Sequence, residues 1–540
     1  MHPGTAGTHC WKNSTCGYHS MVKAQVNVML RVTVTLLSGQ SETLSLAQSS
    51  KVGDLQVLAQ KLFQRGFLRL VNADHSVVDP TLSLQAAGLE DGDHLTAIVI
   101  EAKVAKTNRA FALFCSGGDR VVTWGNPEEG GDSSEVQDQL KGVQQVQATG
   151  RAFAAILSDG SVVSWGHPKS GGDSSEVQDQ LKGVRQVEAN DWAFAAILAN
   201  GSVVTWGGLH EDDGGDSSYV QDRLKGVQQI QAAHGAFAAI LADGSVVTWG
   251  DPDRGGDSSS VQDQLKGVQQ IQGTCHAFAA ILADGTVVTW GHPAYGGDSS
   301  DVHDQLKGVQ QVQAFFSTFV AILADGSVVT WGAEIDDSSH VQDRLKGVHK
   351  MQGNWGALAA ILTDGSVVAW GDADYGGDSS EVQHQLRGIR QVQATENAFA
   401  AILADGSVVT WGLPLSGGDS SHVQDQLKGV QQVQATWGAF AAILADGSVV
   451  TWGDPKKGGD SSEVQHQLKG VQQVQSTTQA FAAILANGSV VTWGDGFSGD
   501  NSSHPFVHNM ETQKTRKCNK IKSRKCNKCI AEAADLFAYL

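Results

Sequence analysis

Ten near-identical phrases of the type Ala-Phe-Ala-Ala-Ile-Leu-Ala-Asp-Gly-Ser-Val-Val-Thr-Trp-Gly dominate this 540-residue chain, at a spacing of 39 to 43 residues. A fixed period of this length indicates one supersecondary unit copied many times, in which each copy buries its apolar side chains against its neighbours. The repeat therefore decides the architecture of most of the chain. The closing Trp-Gly pairs begin at Trp124, Trp165, Trp206, Trp249, Trp290, Trp331, Trp370, Trp411, Trp452 and Trp493.

Each copy predicts three short strands. In the second copy, 143–148 alternates like a half-buried strand, 152–157 is apolar, and 161–166 is rich in β-branched residues. Asp159-Gly160 predicts a tight turn with positive φ between the last two strands. The constant polar stretch Gly-Gly-Asp-Ser-Ser at 171–175 predicts a bend and the cap of one helical turn, rather than an anion or calcium site.

Residues 29–101 do not follow the repeat and have a different sequence pattern. Alternating segments at 30–37 and 42–46 predict a hairpin, 52–63 predicts an amphipathic helix, and 67–71 and 94–100 predict two more strands. This order resembles the ubiquitin-like β-grasp fold. Because no Gly-Gly tail ends the segment, the resemblance implies a fused module that is not conjugated. The alternative is a small α+β domain without a ubiquitin-related role.

The repeat itself resembles that of the regulator of chromosome condensation family, which builds β-propellers. The residues that carry the likeness are the aliphatic strand, Asp-Gly, Ser-Val-Val-Thr-Trp-Gly, the following Gly-Gly and the Val-Gln-Gln-Val-Gln-Ala strand. Two departures are ten units where seven are usual, and Ala152, Ala193 and Ala236 where the family has His. No split unit is present to fasten a ring. The expected fold is therefore mainly β, with a ubiquitin-like domain before a ten-unit β-propeller-like array, and an open β-solenoid as the alternative.

The composition argues against several function classes. No phosphate loop, HExxH or Gly-x-Ser-x-Gly motif is present, so we expect no enzyme, no cofactor, no metal and no small-molecule substrate. A net charge of −19 disfavours general nucleic-acid binding. No apolar run has the length of a membrane span, and seven cysteines without regular spacing indicate a reducing compartment. We expect a cytoplasmic protein.

The termini differ from the array at 102–500. Residues 1–28 predict an unstructured leader, and 501–540 a disordered, Cys-containing tail. Between Lys514 and Lys528 the tail carries eight Lys or Arg residues and no acid. This charge run predicts a nuclear-import or polyanion-binding segment, the alternatives being a segment that contacts the protein's own acidic surface or an unselected extension. We expect no nucleic-acid binding elsewhere in the chain.

Sequence variation within the units is concentrated between the first two strands and after Trp-Gly. A constant frame with variable tips is typical of a scaffold that presents a recognition surface, although unconstrained tips also drift. We therefore expect a non-enzymatic protein-binding adaptor, and the resemblance of residues 29–101 to ubiquitin-like domains implies a link to ubiquitin signalling. The alternative is a guanine-nucleotide exchange or chromatin-associated factor. The candidate partner-binding residues at the tips are Trp192, His234, His276, Phe315, Phe316, Trp355 and Trp437, of which the Trp and Phe side chains are expected to be exposed anchors.

Overall fold

The computed structural model describes residues 28–63, 67–100, 102–118, 120–210, 212–332, 341–496 and 503–504. Its contacts divide the chain into two units, Met1–Val99 and Ile100–Leu540, and each is described by itself. The predicted leader up to residue 27 and the basic run at 514–528 lie outside the described residues. In the part that is described, no helix is long and apolar enough to cross a membrane.

The first unit is a four-stranded sheet and one helix. Its elements are β1 (Met29–Leu36), β2 (Ser41–Ala47), α1 (Val52–Phe63), β3 (Phe67–Val71) and β4 (His94–Ile100). The strand order is β2-β1-β4-β3, with β1 antiparallel to β2 and parallel to β4. The alternating residues of β1 and the apolar stripe of α1 form one core around Val32, Val34 and Leu55. This arrangement confirms the predicted ubiquitin-like β-grasp fold.

The second unit contains ten three-stranded antiparallel sheets, one for each repeat, in the order inner, middle, outer. The inner strands are β5 (Ala102–Lys106), β8 (Val143–Ala148), β11 (Val184–Ala189), β14 (Val227–Ala232), β17 (Val268–Gly273), β20 (Val309–Phe315), β23 (Val348–Gly353), β26 (Ile389–Ala394), β29 (Val430–Ala435) and β32 (Val471–Ser476).

The middle and outer strands follow in each repeat. The middle strands are β6 (Ala110–Cys115), β9 (Ala152–Leu157), β12 (Ala193–Leu198), β15 (Ala236–Leu241), β18 (Ala277–Leu282), β21 (Thr318–Leu323), β24 (Ala357–Leu362), β27 (Ala398–Leu403), β30 (Ala439–Leu444) and β33 (Ala480–Leu485). The outer strands are β7 (Val121–Gly125), β10 (Val162–Gly166), β13 (Val203–Gly207), β16 (Val246–Gly250), β19 (Val287–Gly291), β22 (Val328–Gly332), β25 (Val367–Gly371), β28 (Val408–Gly412), β31 (Val449–Gly453) and β34 (Val490–Gly494).

Short 3-10 helices lie in the connectors between repeats. After Trp-Gly they span Pro127–Glu129, Pro168–Ser170, Pro252–Arg254, Pro293–Tyr295, Ala373–Tyr375, Pro414–Ser416 and Pro455–Lys457. Further along the connector they span Ser218–Val220, Ser300–Gln305, Gln342–Arg344 and Gln424–Gln426. The helical turn predicted after Gly-Gly-Asp-Ser-Ser is therefore a turn or a 3-10 segment. Asp173 accepts the amide proton of Ser175, which gives this constant stretch a structural role.

The hydrophobic cores lie between neighbouring sheets. The register places Ala148, Phe153 and Trp165 side by side on one face of the second sheet, and this face packs against the small residues of the first sheet. Trp165 Nε1 donates to the Gly130 carbonyl of the preceding connector at 3.1 Å. Gly130 has a φ of 97°, and a Cβ there would lie 2.5 Å from the Phe153 ring. One repeat thus completes the core of the next, as a stacked array requires.

The array closes on itself. The Thr478 hydroxyl of the tenth repeat donates to the Asn108 carbonyl of the first at 2.8 Å. Phe111 on the first sheet and Ala480 and Ala482 on the last are fully buried, whereas the end faces of an open array would meet water. The ring closes without a split sheet, although at the closing pair Trp124 Nε1 has no hydrogen-bond partner among the described residues, whereas Trp165 Nε1 donates to the preceding connector. This geometry favours the β-propeller over the open solenoid.

The exposed edge of each outer strand is covered by the connector that follows it. Gln178 Nε2 donates to the Val162 carbonyl at 2.9 Å, and the Ser174 hydroxyl donates to Gln178 Oε1. In the tenth repeat β35 (Ser503–His504) pairs with β34 instead. Covering an edge in this way protects it from pairing with another chain.

Candidate partner-binding surface

The ten turns between inner and middle strands lie together at one end of the ring. Eight backbone hydrogen bonds of 2.8–3.4 Å join equivalent turn residues of neighbouring repeats, each from the amide of one to the carbonyl of the next. These residues hold one position of the backbone but differ in side chain. We call them the turn ring: Asn108, Gly150, Asp191, His234, Cys275, Phe316, Trp355, Glu396, Trp437 and Thr478.

In eight of the ten repeats a buried Thr or Asn stands just before the turn-ring residue, whereas the fourth and sixth repeats have Ala233 and Phe315 there. The Thr436 hydroxyl donates to the Lys457 carbonyl at 2.9 Å and accepts from the Ala439 amide at 3.1 Å. This contact was not predicted from the sequence, although the recurrence of Thr or Asn just before the turn-ring residue was a visible signal of it. The residues that donate to the connector in this way are Thr107, Thr149, Asn190, Thr274, Asn354, Thr395 and Thr436.

These contacts place the variable connectors beside the variable turns. In the eighth repeat the Leu413 amide donates to the Asn397 carbonyl at 2.9 Å. Leu415, two residues further on, is 78% exposed. Both variable stretches of the repeat therefore contribute to one continuous surface around the turn ring.

An open cavity of about 550 Å³ lies inside the turn ring. Residues of eight repeats line it, including Asn108 of the first and Thr478 of the tenth. A second cavity of about 270 Å³ is lined by the third to sixth repeats, with His234 and Cys275 among its residues. Because opposite sides of the ring line the larger cavity, it lies at the axis, and the inner strands face that axis.

One side of the ring carries an aromatic cluster of Phe316, Trp355 and Trp437. The Phe316 and Trp355 rings stack with centroids 4.8 Å apart. The Trp355 and Trp437 rings meet edge to face at 6.0 Å, although they belong to the seventh and ninth repeats. Glu396, the turn-ring residue of the eighth repeat, lies 3.5 Å from Lys457 Nζ, and burial raises the pKa of its carboxyl group.

Another side of the turn ring carries the imidazole side chains of His234 and the adjacent His276. His234 Nδ1 lies 2.8 Å from Asp191 Oδ2, and the His234 ring is 6.0 Å from Trp192 and 6.2 Å from His276 between centroids. His276 also contacts the Tyr295 ring at 4.3 Å. The turn ring thus carries the aromatic cluster at its sixth to ninth repeats and, together with the adjacent Trp192 and His276, an imidazole-containing cluster at its third to fifth repeats.

The cysteine and histidine of the fifth repeat are poorly suited to nucleophilic catalysis. Burial raises the pKa of the Cys275 thiol to about 12 and lowers the pKa of His276 to about 4. At neutral pH the thiol is protonated, whereas a catalytic cysteine acts as a thiolate. No group of three or more His, Cys, Asp or Glu side chains within the described ranges could hold a metal ion.

The structure brings the predicted site residues together, with two differences in their exposure. Phe315 belongs to β20 and packs against the core between the sixth and seventh sheets. Of the other six, Phe316 is exposed at 39%, and Trp192, His234, His276, Trp355 and Trp437 are half-buried. Trp192, Trp355 and Trp437 are therefore less exposed than expected, because side chains distant in sequence cover one another around the ring.

No family model and no curated protein matches the sequence. Several solved structures are similar to it. Yeast RCC1 (Prp20), solved with Kap60, is 16% identical over 58% of this chain and 79% of that chain, with a TM-score of 0.31. Human WBSCR16 is 16% identical over 44% and 77%, with a TM-score of 0.30.

A further solved structure is similar to the N-terminal part. The ubiquitin-like domain of the 4931431F19Rik protein is 17% identical over 18% of this chain and 95% of that chain, with a TM-score of 0.13. The chain is similar to regulator of chromosome condensation-like repeat proteins and carries an N-terminal ubiquitin-like domain. The strand order of the first unit and the contacts that close the ring of repeats define the fold.

Proposed function

We propose that this chain is a non-enzymatic scaffold that binds protein partners through the turn ring and the connectors beside it. The observation that supports the proposal is that the turn-ring residues share one backbone position but differ in side chain. Ten equivalent backbone positions, eight neighbouring pairs of which are joined by hydrogen bonds, hold nine different residue types. The side chains a few residues away in the middle strands are nearly identical. Packing therefore accounts for the middle strands and leaves the turn ring free to specify a partner.

The character of the surface supports a protein as the ligand. Three large aromatic side chains, joined by ring contacts, border an open cavity. Trp, Tyr and Arg are enriched among the residues that contribute most to protein-protein binding. The cavity has walls contributed by many repeats, so a partner segment entering it would contact several variable residues at once.

We further propose that the β-grasp unit links the scaffold to ubiquitin signalling. Its topology is that of ubiquitin-like domains, and the chain continues beyond β4 into the repeats, so the unit acts in place rather than as a conjugated tag. A cytoplasmic location, with nuclear import through residues 514–528, stays a prediction.

Quantitative affinity capture from cell lysate tests the surface. The full chain and a Trp355→Ala/Trp437→Ala variant are compared, with Tyr219→Ala as the matched control because Tyr219 is 64% exposed and lies outside the turn ring. We expect the double variant to lose specific partners and the control to keep them. Equal recovery by all three proteins, each confirmed folded by thermal melting, would contradict the proposal.

A deletion of residues 29–99 tests the second part. We expect ubiquitin-pathway proteins to disappear from the captured set while the partners of the turn ring remain. If the deletion leaves the captured set unchanged, the link to ubiquitin signalling is wrong. Accelerated nucleotide release from a small GTPase by the full chain would instead support the exchange-factor alternative.

A further inference from the structure

The aromatic cluster of the turn ring, together with Glu396, has the chemistry of a cation site. Trp355, Glu396 and Trp437 come from three successive repeats and line the same cavity. The two indole rings lie at 72° to each other, and the Glu396 amide donates to the Trp437 carbonyl at 3.0 Å, which fixes the carboxylate-bearing residue between them in the ring. Aromatic faces are negative and attract cations, and the attraction grows where water is displaced.

The carboxylate of Glu396 has room for another donor. Its side chain is 16% exposed, and its ion pair with Lys457 spans 3.5 Å. Strong N–H···O bonds between a cation and a carboxylate are about 2.7–2.9 Å long. A carboxylate can accept several hydrogen bonds through its two oxygens. The pair with Lys457 is longer than such a bond and is made through Oε2, so this half-buried carboxylate keeps acceptor capacity for a second cation.

We propose that this site binds an arginine side chain of a protein partner, with the guanidinium stacked on an indole face and paired with Glu396. The inference rests on the proposed function and names the chemistry that the turn ring recognises. Arginine fits better than lysine because its planar group stacks on aromatic rings and donates in a fork to a carboxylate. The net charge of −19 favours the approach of cationic segments.

Selection of displayed random peptides on the full chain tests the inference. We expect enriched peptides to share an arginine, and replacing it by the uncharged isostere citrulline to weaken binding about tenfold. Trp437→Ala and Glu396→Gln should weaken binding to a similar extent, and Trp437→Phe should restore part of it. The controls are Tyr219→Ala for the loss of an exposed aromatic and Glu463→Gln for the loss of one exposed carboxylate.

The outcomes separate this inference from the proposed function. If selected peptides depend on Trp355 and His234 but contain no arginine, or tolerate citrulline, the turn ring binds protein and the arginine site is wrong. Enrichment of lysine or methyl-lysine peptides in place of arginine would also overturn it. If no selected peptide is sensitive to any turn-ring substitution, the proposed function fails as well. Retention of the melting temperature in each variant excludes misfolding as the cause.

Discussion

The sheet cores and the turn ring are built on the same repeated backbone but use it in opposite ways. Between sheets, each repeat supplies nearly the same Phe, Ala, Val and Trp side chains, all buried. At the turn ring, equivalent backbone positions carry Gly150, Asp191, Trp355 and others with little in common. The difference shows that repetition continues where each repeat must fit its neighbour, and stops where the side chains face the axial cavity. Stability and recognition should therefore respond to different substitutions.

Two leucines of the eighth connector provide the strongest test of that contrast. Leu427 is 1% exposed and packs in the core between the eighth and ninth sheets, whereas Leu415 is 78% exposed. We expect Leu427→Ala to lower the free energy of unfolding by about 2–5 kcal/mol, because it leaves a cavity between sheets. Chemical denaturation measures the change. A loss below about 1 kcal/mol would show that the sheet interfaces are not the source of stability.

Replacing a buried Thr that precedes a turn-ring residue should destabilise the protein less than Leu427→Ala does. Thr436→Ala removes a donor to the Lys457 carbonyl and an acceptor for the Ala439 amide in a buried site. The expected loss in the free energy of unfolding is about 1–2 kcal/mol, the cost of leaving buried polar groups unpaired. Thr436→Ser keeps the hydroxyl and is the matched control. If serine and alanine destabilise equally, the hydrogen bonds are not responsible.

The imidazole-containing cluster beside the turn ring should make the stability of the protein depend on acid pH. Burial first, then Arg254, His234 and His292, lower the pKa of His276 to about 4, below its unfolded value of about 6.5. Between these values the unfolded chain binds the proton more readily, so this contribution to stability is lost as pH falls from about 6.5 to 4. After allowance for solvent screening at a half-buried site, the loss is about 1 kcal/mol.

Comparison of the wild-type chain with His276→Gln at several pH values checks this expectation. The variant should unfold with a weaker pH dependence over that range, and exposed His422→Gln serves as the control for removing an imidazole. A pH dependence unchanged by His276→Gln would contradict the assignment.

Leu415→Ala should have the smallest effect on stability, less than about 0.5 kcal/mol, because an exposed side chain loses little buried area. The same denaturation experiment as for Leu427→Ala measures it. A loss of comparable size for the two leucines would remove the distinction between core and surface of the connector.

The repeat unit and the β-grasp elements could be predicted from the sequence because both depend on local patterns. The strands 143–148 and 152–157, the Asp159-Gly160 turn and helix 52–63 follow from alternation, turn residues and helical periodicity, and the structure agrees within a residue or two. Ring closure could not be predicted in this way. It depends on the angle between neighbouring sheets summed over ten repeats, which no single repeat specifies.

The candidate site was only partly predictable for a related reason. Its residues were found as variable positions, but their mutual contacts were not. Trp355 and Trp437 are 82 positions apart in sequence and meet only because the ring brings their turns together. The half-burial of these rings and the core position of Phe315 therefore required the structure.

Hydroxyl-radical footprinting of the full chain, alone and with a captured partner, tests the central claim most directly. Radicals oxidise accessible aromatic and imidazole side chains, so the positions covered by a partner are reported residue by residue. The account predicts reduced oxidation of Phe316, Trp355 and Trp437 in the complex and unchanged oxidation of Tyr219. Protection confined to Tyr219 or to His466 of a connector, with the turn ring as reactive as in the free chain, would contradict it.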